Sequence, residues 1–120
     1  MEVLNGDKHK FAVLITEFFG TLFFSLAFNL QGNEGTVMMP LVLYSLIIIT
    51  GDISGGHMNP AVTVGVYIER KKYCKNFLFM VLIIIVQTVG ALCAQLLGFL
   101  VRVTLNDSEN PGKLYWVPGQ

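Results

Sequence analysis

At 120 residues, with 53% apolar and 13% charged side chains, the chain is too hydrophobic for an ordinary soluble domain and has the composition of a membrane protein. Its formal net charge of zero excludes a global basic signature for nucleic acid, so the informative charges are the clustered ones. Two cysteines, Cys74 in a basic segment and Cys93 in an apolar run, make neither a disulfide framework nor a metal site.

Residues 1–10 form a short polar lead ending in Lys8, His9 and Lys10. Residues 11–30 are apolar apart from Glu17 and a few small polar side chains, and predict a first membrane span. A cleaved signal peptide is the competing reading, but the run is longer than a typical apolar signal core and lacks a small-residue cleavage site. Residues 31–36, with Asn33, Glu34 and two glycines, predict a compact polar turn without Lys or Arg. A second apolar run, 37–50, is short for a span, but its neighbours extend it to about residue 52 with little tilt. Pro40 lies near its start, where a missing N–H costs little.

That run leads into Gly51-Asp52-Ile53-Ser54-Gly55-Gly56-His57-Met58-Asn59-Pro60-Ala61-Val62-Thr63-Val64-Gly65, a glycine-rich polar loop set among apolar runs. Asn59-Pro60 predicts a helix start, because Asn is a strong N-cap and Pro at the first helical position loses only an N–H that would be orphaned anyway. The helix over 60–68 would be about 13 Å long, less than half of a hydrocarbon core about 30 Å thick. Such a half-helix is tolerated only where protein or a water-filled cavity shields its loose backbone. Next come Glu69, Arg70, Lys71, Lys72 and Lys75, the densest charged cluster, and then a third apolar run over 77–101 that closes at Arg102. Residues 106–120 read as an exposed loop or tail.

Loop charge fixes the expected topology. Lys8 and Lys10 place the N-terminus in the cytoplasm, so the first span leads out and the second returns. A full crossing by residues 53–68 would carry Arg70, Lys71, Lys72 and Lys75 outside, whereas a re-entrant segment keeps them inside. Helix length and loop charge therefore agree on a re-entrant half-helix. The tail then lies outside, where Asn106-Asp107-Ser108 forms a glycosylation sequon.

The sequence Gly-x-x-Ser-Gly-Gly-His-x-Asn-Pro-Ala-Val-Thr from Gly51 to Thr63 resembles the first signature loop of the aquaporin, or major intrinsic protein, family. Glu17-Phe18-Phe19-Gly20-Thr21 in the first span and Gln87-Thr88-Val89-Gly90-Ala91 in the third extend the resemblance, in family order, over nearly the whole chain. The resemblance implies an all-α membrane protein with three transmembrane helices and one re-entrant half-helix, forming one inverted repeat over residues 11–105. It also implies passive, single-file passage of water, and in some members of glycerol or other small neutral solutes. On that pattern Asn59, Pro60 and Ala61 stand at the pore centre, with the Asn59 amide N–H groups offered to a permeating oxygen. The carbonyls of Gly55, Gly56 and His57 form a ladder of acceptors leading to it. The positive end of the half-helix opposes cations and protons there, as in the aquaporin-type pores used as a standard example of this effect. Glu17 braces the loop with Gln87, Met39 stands at the outer narrowing where water-selective members carry an aromatic residue, and tetramers are the expected assembly.

Several of these residues also have plainer readings. The plainer reading of Glu17 is a side chain snorkelling at the cytoplasmic end, His57 either lines the pore or satisfies loop backbone, and a one-residue shift would turn Met38 or Met39 toward lipid. Asp52 replaces a histidine common in the family, and either brings charge to the vestibule or pairs with the basic segment. Gly90, Ala94 and Gly98 make a small-residue stripe suited to close helix approach. No second Asn-Pro-Ala occurs in the 120 residues. The chain is therefore expected to be either the first portion of a longer protein or a half-channel completed by a second copy or a complementary half. A non-conducting subunit that binds and modulates full-length relatives through the small-residue stripe is the alternative. An enzyme using Glu17, Asp52 and His57 is disfavoured, because no nucleophile elbow, metal spacing or cofactor loop accompanies them.

Overall fold

The structure, a computed structural model, describes residues 6–31, 35–70 and 73–109, with side chains described for 8–31, 37–70 and 77–105. Four helices follow one another: α1 (Gly6–Leu30), α2 (Gly35–Ser54), α3 (Pro60–Glu69) and α4 (Tyr73–Glu109), and no strand occurs among the described residues. Lys8–Leu30, Val37–Ser54 and Phe77–Leu105 are long and apolar enough to cross a membrane. Only a helix satisfies its own backbone in hydrocarbon, and the hydroxyls follow suit. Thr16, Thr21, Ser45, Thr50, Thr88 and Thr104 each donate to the carbonyl four residues earlier, at 2.7–2.9 Å.

The helices run past several apolar boundaries. α4 begins at Tyr73, within the segment read as a basic loop, and continues through Asn106–Glu109, which corrects the reading of 106–109 as loop or tail. At 37 residues it is about 55 Å long, more than the hydrocarbon core needs, and its polar end turns are helical because helix formation adds a bond per residue once nucleated. Gly35 and Thr36 belong to α2, so Pro40 falls in its second turn. Asn33, Glu34, Lys71, Lys72 and residues 110–120 lie outside the described residues, as do the side chains of Cys74 and Lys75.

α1 is the centre of the packing: it contacts both α2 and α4, while α3 rests on α4. The α1–α4 crossing is close because small residues meet backbone there. A Cβ built on Gly90 would stand 2.6 Å from the Phe18 carbonyl oxygen, and one on Gly98 would stand 3.0 Å from Asn29 Cβ. Ala94, between them, is fully buried. The stripe thus packs within the chain against α1 and is not a free face for another subunit. At its far end the Arg102 guanidinium donates to the Asn29 carbonyl.

Gly90→Ala should destabilise the bundle by about 1–3 kcal/mol, since backbone cannot yield as a side chain would. Gly65→Ala, on α3 with nothing within 4 Å of the added Cβ, should instead stabilise by about 0.5–1 kcal/mol. Denaturant unfolding in detergent, followed by circular dichroism, checks both; equal effects would contradict the close crossing.

Burial is uneven. Only 6% of the α2 span is buried, against 28% for α1 and 22% for α4. The start of α1 (His9, Lys10), the end of α2 (Asp52), the end of α3 (Arg70) and the start of α4 (Leu78) all line one cavity. Both ends of the 51–70 segment therefore lie at one cavity.

Candidate functional site

The loop between α2 and α3 is built by conformations that ordinary side chains avoid. Gly55 and Gly56 have φ of +89° and +63°, and Met58 has φ of +44°. The glycines adopt these angles without a Cβ clash. They also end α2: Gly55 N–H donates to the Gly51 carbonyl at 2.9 Å, and Gly56 N–H to Ser54 Oγ at 3.1 Å. A left-handed Met costs roughly 1–2 kcal/mol, so something must hold it. Its side chain is buried against Gly20, where an added Cβ would come within 2.8 Å of Met58 Cγ.

The backbone is held by Glu17. One carboxylate oxygen accepts the His57 N–H at 2.9 Å, and the other accepts the Met58 N–H at 2.7 Å. Gln87 Nε2 donates to that second oxygen at 2.8 Å and to Thr63 Oγ1 at 2.9 Å. Glu17 and Gln87 are both fully buried. A carboxylate in an apolar bundle is expensive unless partnered, and three donors, two of them from the backbone of the loop before α3, meet that need. Glu17 lies seven residues past Lys10, about 10 Å into the bundle, so the loop is pinned well inside it.

Thr63 joins this brace to α3. Its hydroxyl is 3.1 Å from the Asn59 carbonyl and 3.3 Å from His57 Nδ1, with the direction of the latter bond set by the imidazole tautomer. The sequence reading gave Thr63 no role. The available signal was its spacing, four residues after Asn59, which puts a hydroxyl back onto the cap.

Asn59 itself sits in extended conformation with φ −152° and ψ 127°, and its Oδ1 accepts the Ala61 N–H at 2.8 Å. Pro60 takes the first helical position. With Oδ1 committed to the cap, Asn59 Nδ2 has no partner among the described residues, and Asn59, Pro60 and Ala61 are exposed. Likewise, no donor among the described residues reaches the carbonyls of Gly55, Gly56 or His57.

The predicted site residues thus divide. Glu17, Gln87 and His57 come together in one hydrogen-bonded cluster, with Asn59 at its edge through Thr63. Met39 is half-buried near the start of α2, at the opposite end of that helix from the loop, and does not join them; Met38 is 53% exposed. Among the described residues there is no group of three His, Cys, Asp or Glu arranged to hold a metal ion.

The major intrinsic protein family matches residues 7–115. The chain is similar to a probable aquaporin PIP1-5 of Arabidopsis thaliana, 42% identical over 52 residues, and to aquaporin PIP1-2 of Zea mays, 44% identical over 52 residues. Each match covers 43% of this chain and 17% of the relative's length. No solved structure gives a significant match. The apolar helices and the aquaporin relatives make this an integral, multi-pass membrane protein. A family match running from the first turn of α1 past the end of α4 takes in the Glu17 brace, the Asn59 cap and Gln87 alike, and the chain belongs to the major intrinsic protein family.

Proposed function

We propose that the chain forms half of a passive channel for water, with its N-terminus cytoplasmic and the 51–70 segment dipping in from that side. The observation that carries this reading is the division of labour at Asn59: Oδ1 caps α3 while Nδ2, at the tip of a pinned loop, has no partner among the described residues. Two N–H donors and the positive end of a helix then face a permeating oxygen and disfavour a cation. The carbonyls of Gly55, Gly56 and His57, which no donor among the described residues reaches, supply the acceptors that a chain of waters needs on its way to that point.

A single repeat leaves α2 and the tip of α3 uncovered, so conduction requires a second copy or a complementary half to close the pore, with tetramers of the closed unit as the larger assembly. Glycerol or another small neutral solute is a second permeant. What favours it is Met39, flexible and apolar, at the position that the family pattern assigns to the outer narrowing. Stopped-flow swelling of proteoliposomes under water and glycerol gradients tests this reading. We expect water flux above that of protein-free vesicles with low activation energy, and a glycerol flux that Met39→Phe reduces several-fold more than it reduces water flux. Swelling no faster than in protein-free vesicles, with correctly inserted protein, would overturn the channel reading. It would favour instead a non-conducting subunit that modulates relatives through the exposed face of α2, since the small-residue stripe is already occupied.

A further inference from the structure

The cavity lined by Gly55, His57 and Thr63 is the inner mouth of the Asn59 site, and the hydrogen-bond roles around it are fixed one after another from Glu17. The partners of Glu17 are the His57 N–H, the Met58 N–H and the Gln87 amide, so both carboxylate oxygens accept. That orients Gln87, because an amide oxygen turned toward a carboxylate would be repelled. Its Nε2 therefore faces Glu17 at 2.8 Å and, with a second N–H, donates to Thr63 Oγ1 at 2.9 Å. The Thr63 hydroxyl is left with one proton to give and one lone pair to fill.

The proton goes to the Asn59 carbonyl at 3.1 Å, which is closer than Gln87 Oε1 at 3.3 Å. Hydroxyls elsewhere in the helices take the same route, to the carbonyl four residues earlier. What remains at Thr63 Oγ1 is an acceptor, and the ring nitrogen that faces it, at 3.3 Å, is His57 Nδ1. We infer that Thr63 is a positioning residue, which holds His57 in the Nδ1–H tautomer and leaves Nε2 as a bare acceptor at the inner mouth. The other nitrogen of an imidazole takes the role that the first one's bond leaves to it. The ring lies over Gly55, where an added Cβ would stand 3.2 Å from Nε2. Nε2 thus joins the carbonyls of Gly55, Gly56 and His57 on the approach to Asn59, and this approach suits a solute that brings its own N–H or O–H. The role toward a solute rests on the channel reading; the tautomer does not.

Nitrogen NMR of the full chain in detergent, isotope-labelled in its histidines and held at about pH 8.5, well above the usual imidazole titration, reads the tautomer without any flux measurement. The chain has two histidines, so His9→Gln assigns their signals. His57 should be mainly Nδ1–H, the minor form of free histidine in water. Thr63→Val should shift the ratio about fivefold toward Nε2–H, by the usual worth of one hydrogen bond, and Thr63→Ser, which keeps the hydroxyl, should retain the wild-type ratio. Should Thr63→Val not fold, the wild-type tautomer still decides. Diethyl pyrocarbonate, which acylates a bare imidazole nitrogen, should modify His57 as well as the exposed His9. A His57 that is mainly Nε2–H, a ratio that Thr63→Val leaves unchanged, or a His57 spared while His9 reacts would overturn the inference.

Discussion

Glu17→Ala should release the loop between α2 and α3, at a cost of about 3–6 kcal/mol. The side chain accepts from His57 N–H, Met58 N–H and Gln87 Nε2 in a fully buried position, and each orphaned donor costs roughly 1–3 kcal/mol. The loss is compounded at Met58, whose left-handed backbone is held by one of those bonds. The three spans keep their own helical hydrogen bonds, so the change is local. Amide hydrogen exchange in detergent reads it directly: the His57 and Met58 amides should exchange about two to four orders of magnitude faster in the variant than in the wild type. Glu17→Gln should fall between, because its amide nitrogen would face a donor where a carboxylate oxygen accepted one. Unchanged protection at His57 and Met58 would remove Glu17 from the account of the loop.

Asn59→Asp should separate the site from its scaffold. Asp caps a helix as well as Asn does, so stability should change by less than about 0.5 kcal/mol. The chemistry at the loop tip changes completely: two N–H donors become acceptors, and a negative charge stands at the positive end of α3. Loss of a donor to a permeating oxygen is worth about tenfold or more in water flux, by the usual worth of a hydrogen bond, and cation exclusion should weaken with it. Asn59→Ala serves as the converse, since it loses both the donors and the cap and should destabilise α3 by about 1 kcal/mol. Similar flux loss in two variants, of which one is as stable as the wild type and the other is destabilised, is hard to explain unless the Asn59 amide faces the permeant.

Much of this arrangement is legible in the sequence because it rests on length and on local chemistry. Three apolar runs are long enough to span, and Asn59-Pro60 starts a helix that is too short to do so. The Asn59 cap, the first-turn Pro60 and the glycine turn after α2 depend only on neighbouring residues, and the structure has all of them. What was not legible is what distant residues impose. Met58 adopts a backbone angle its own preferences oppose, because Glu17, 41 positions away, accepts its N–H. Thr63 looks like one more small polar residue in an apolar helix, and only the approach of Gln87 makes it the link between brace and cap. The stripe at Gly90, Ala94 and Gly98 signalled a close approach but not its partner, which is α1 of the same chain. The ends of α4 were misplaced because apolarity ends where the bilayer does, whereas the helix continues into water.

The central claim is that the Asn59 amide, pinned by Glu17 and left free by its own cap, faces permeating water. The most direct test is stopped-flow osmotic swelling of proteoliposomes containing the chain, alone and together with the second repeat of the Zea mays relative, each compared with its Asn59→Asp counterpart at matched insertion. The account predicts flux above that of protein-free vesicles in at least one preparation, and its loss in the variant. Flux indistinguishable from that of protein-free vesicles in both preparations, or flux that Asn59→Asp leaves unchanged, would contradict it.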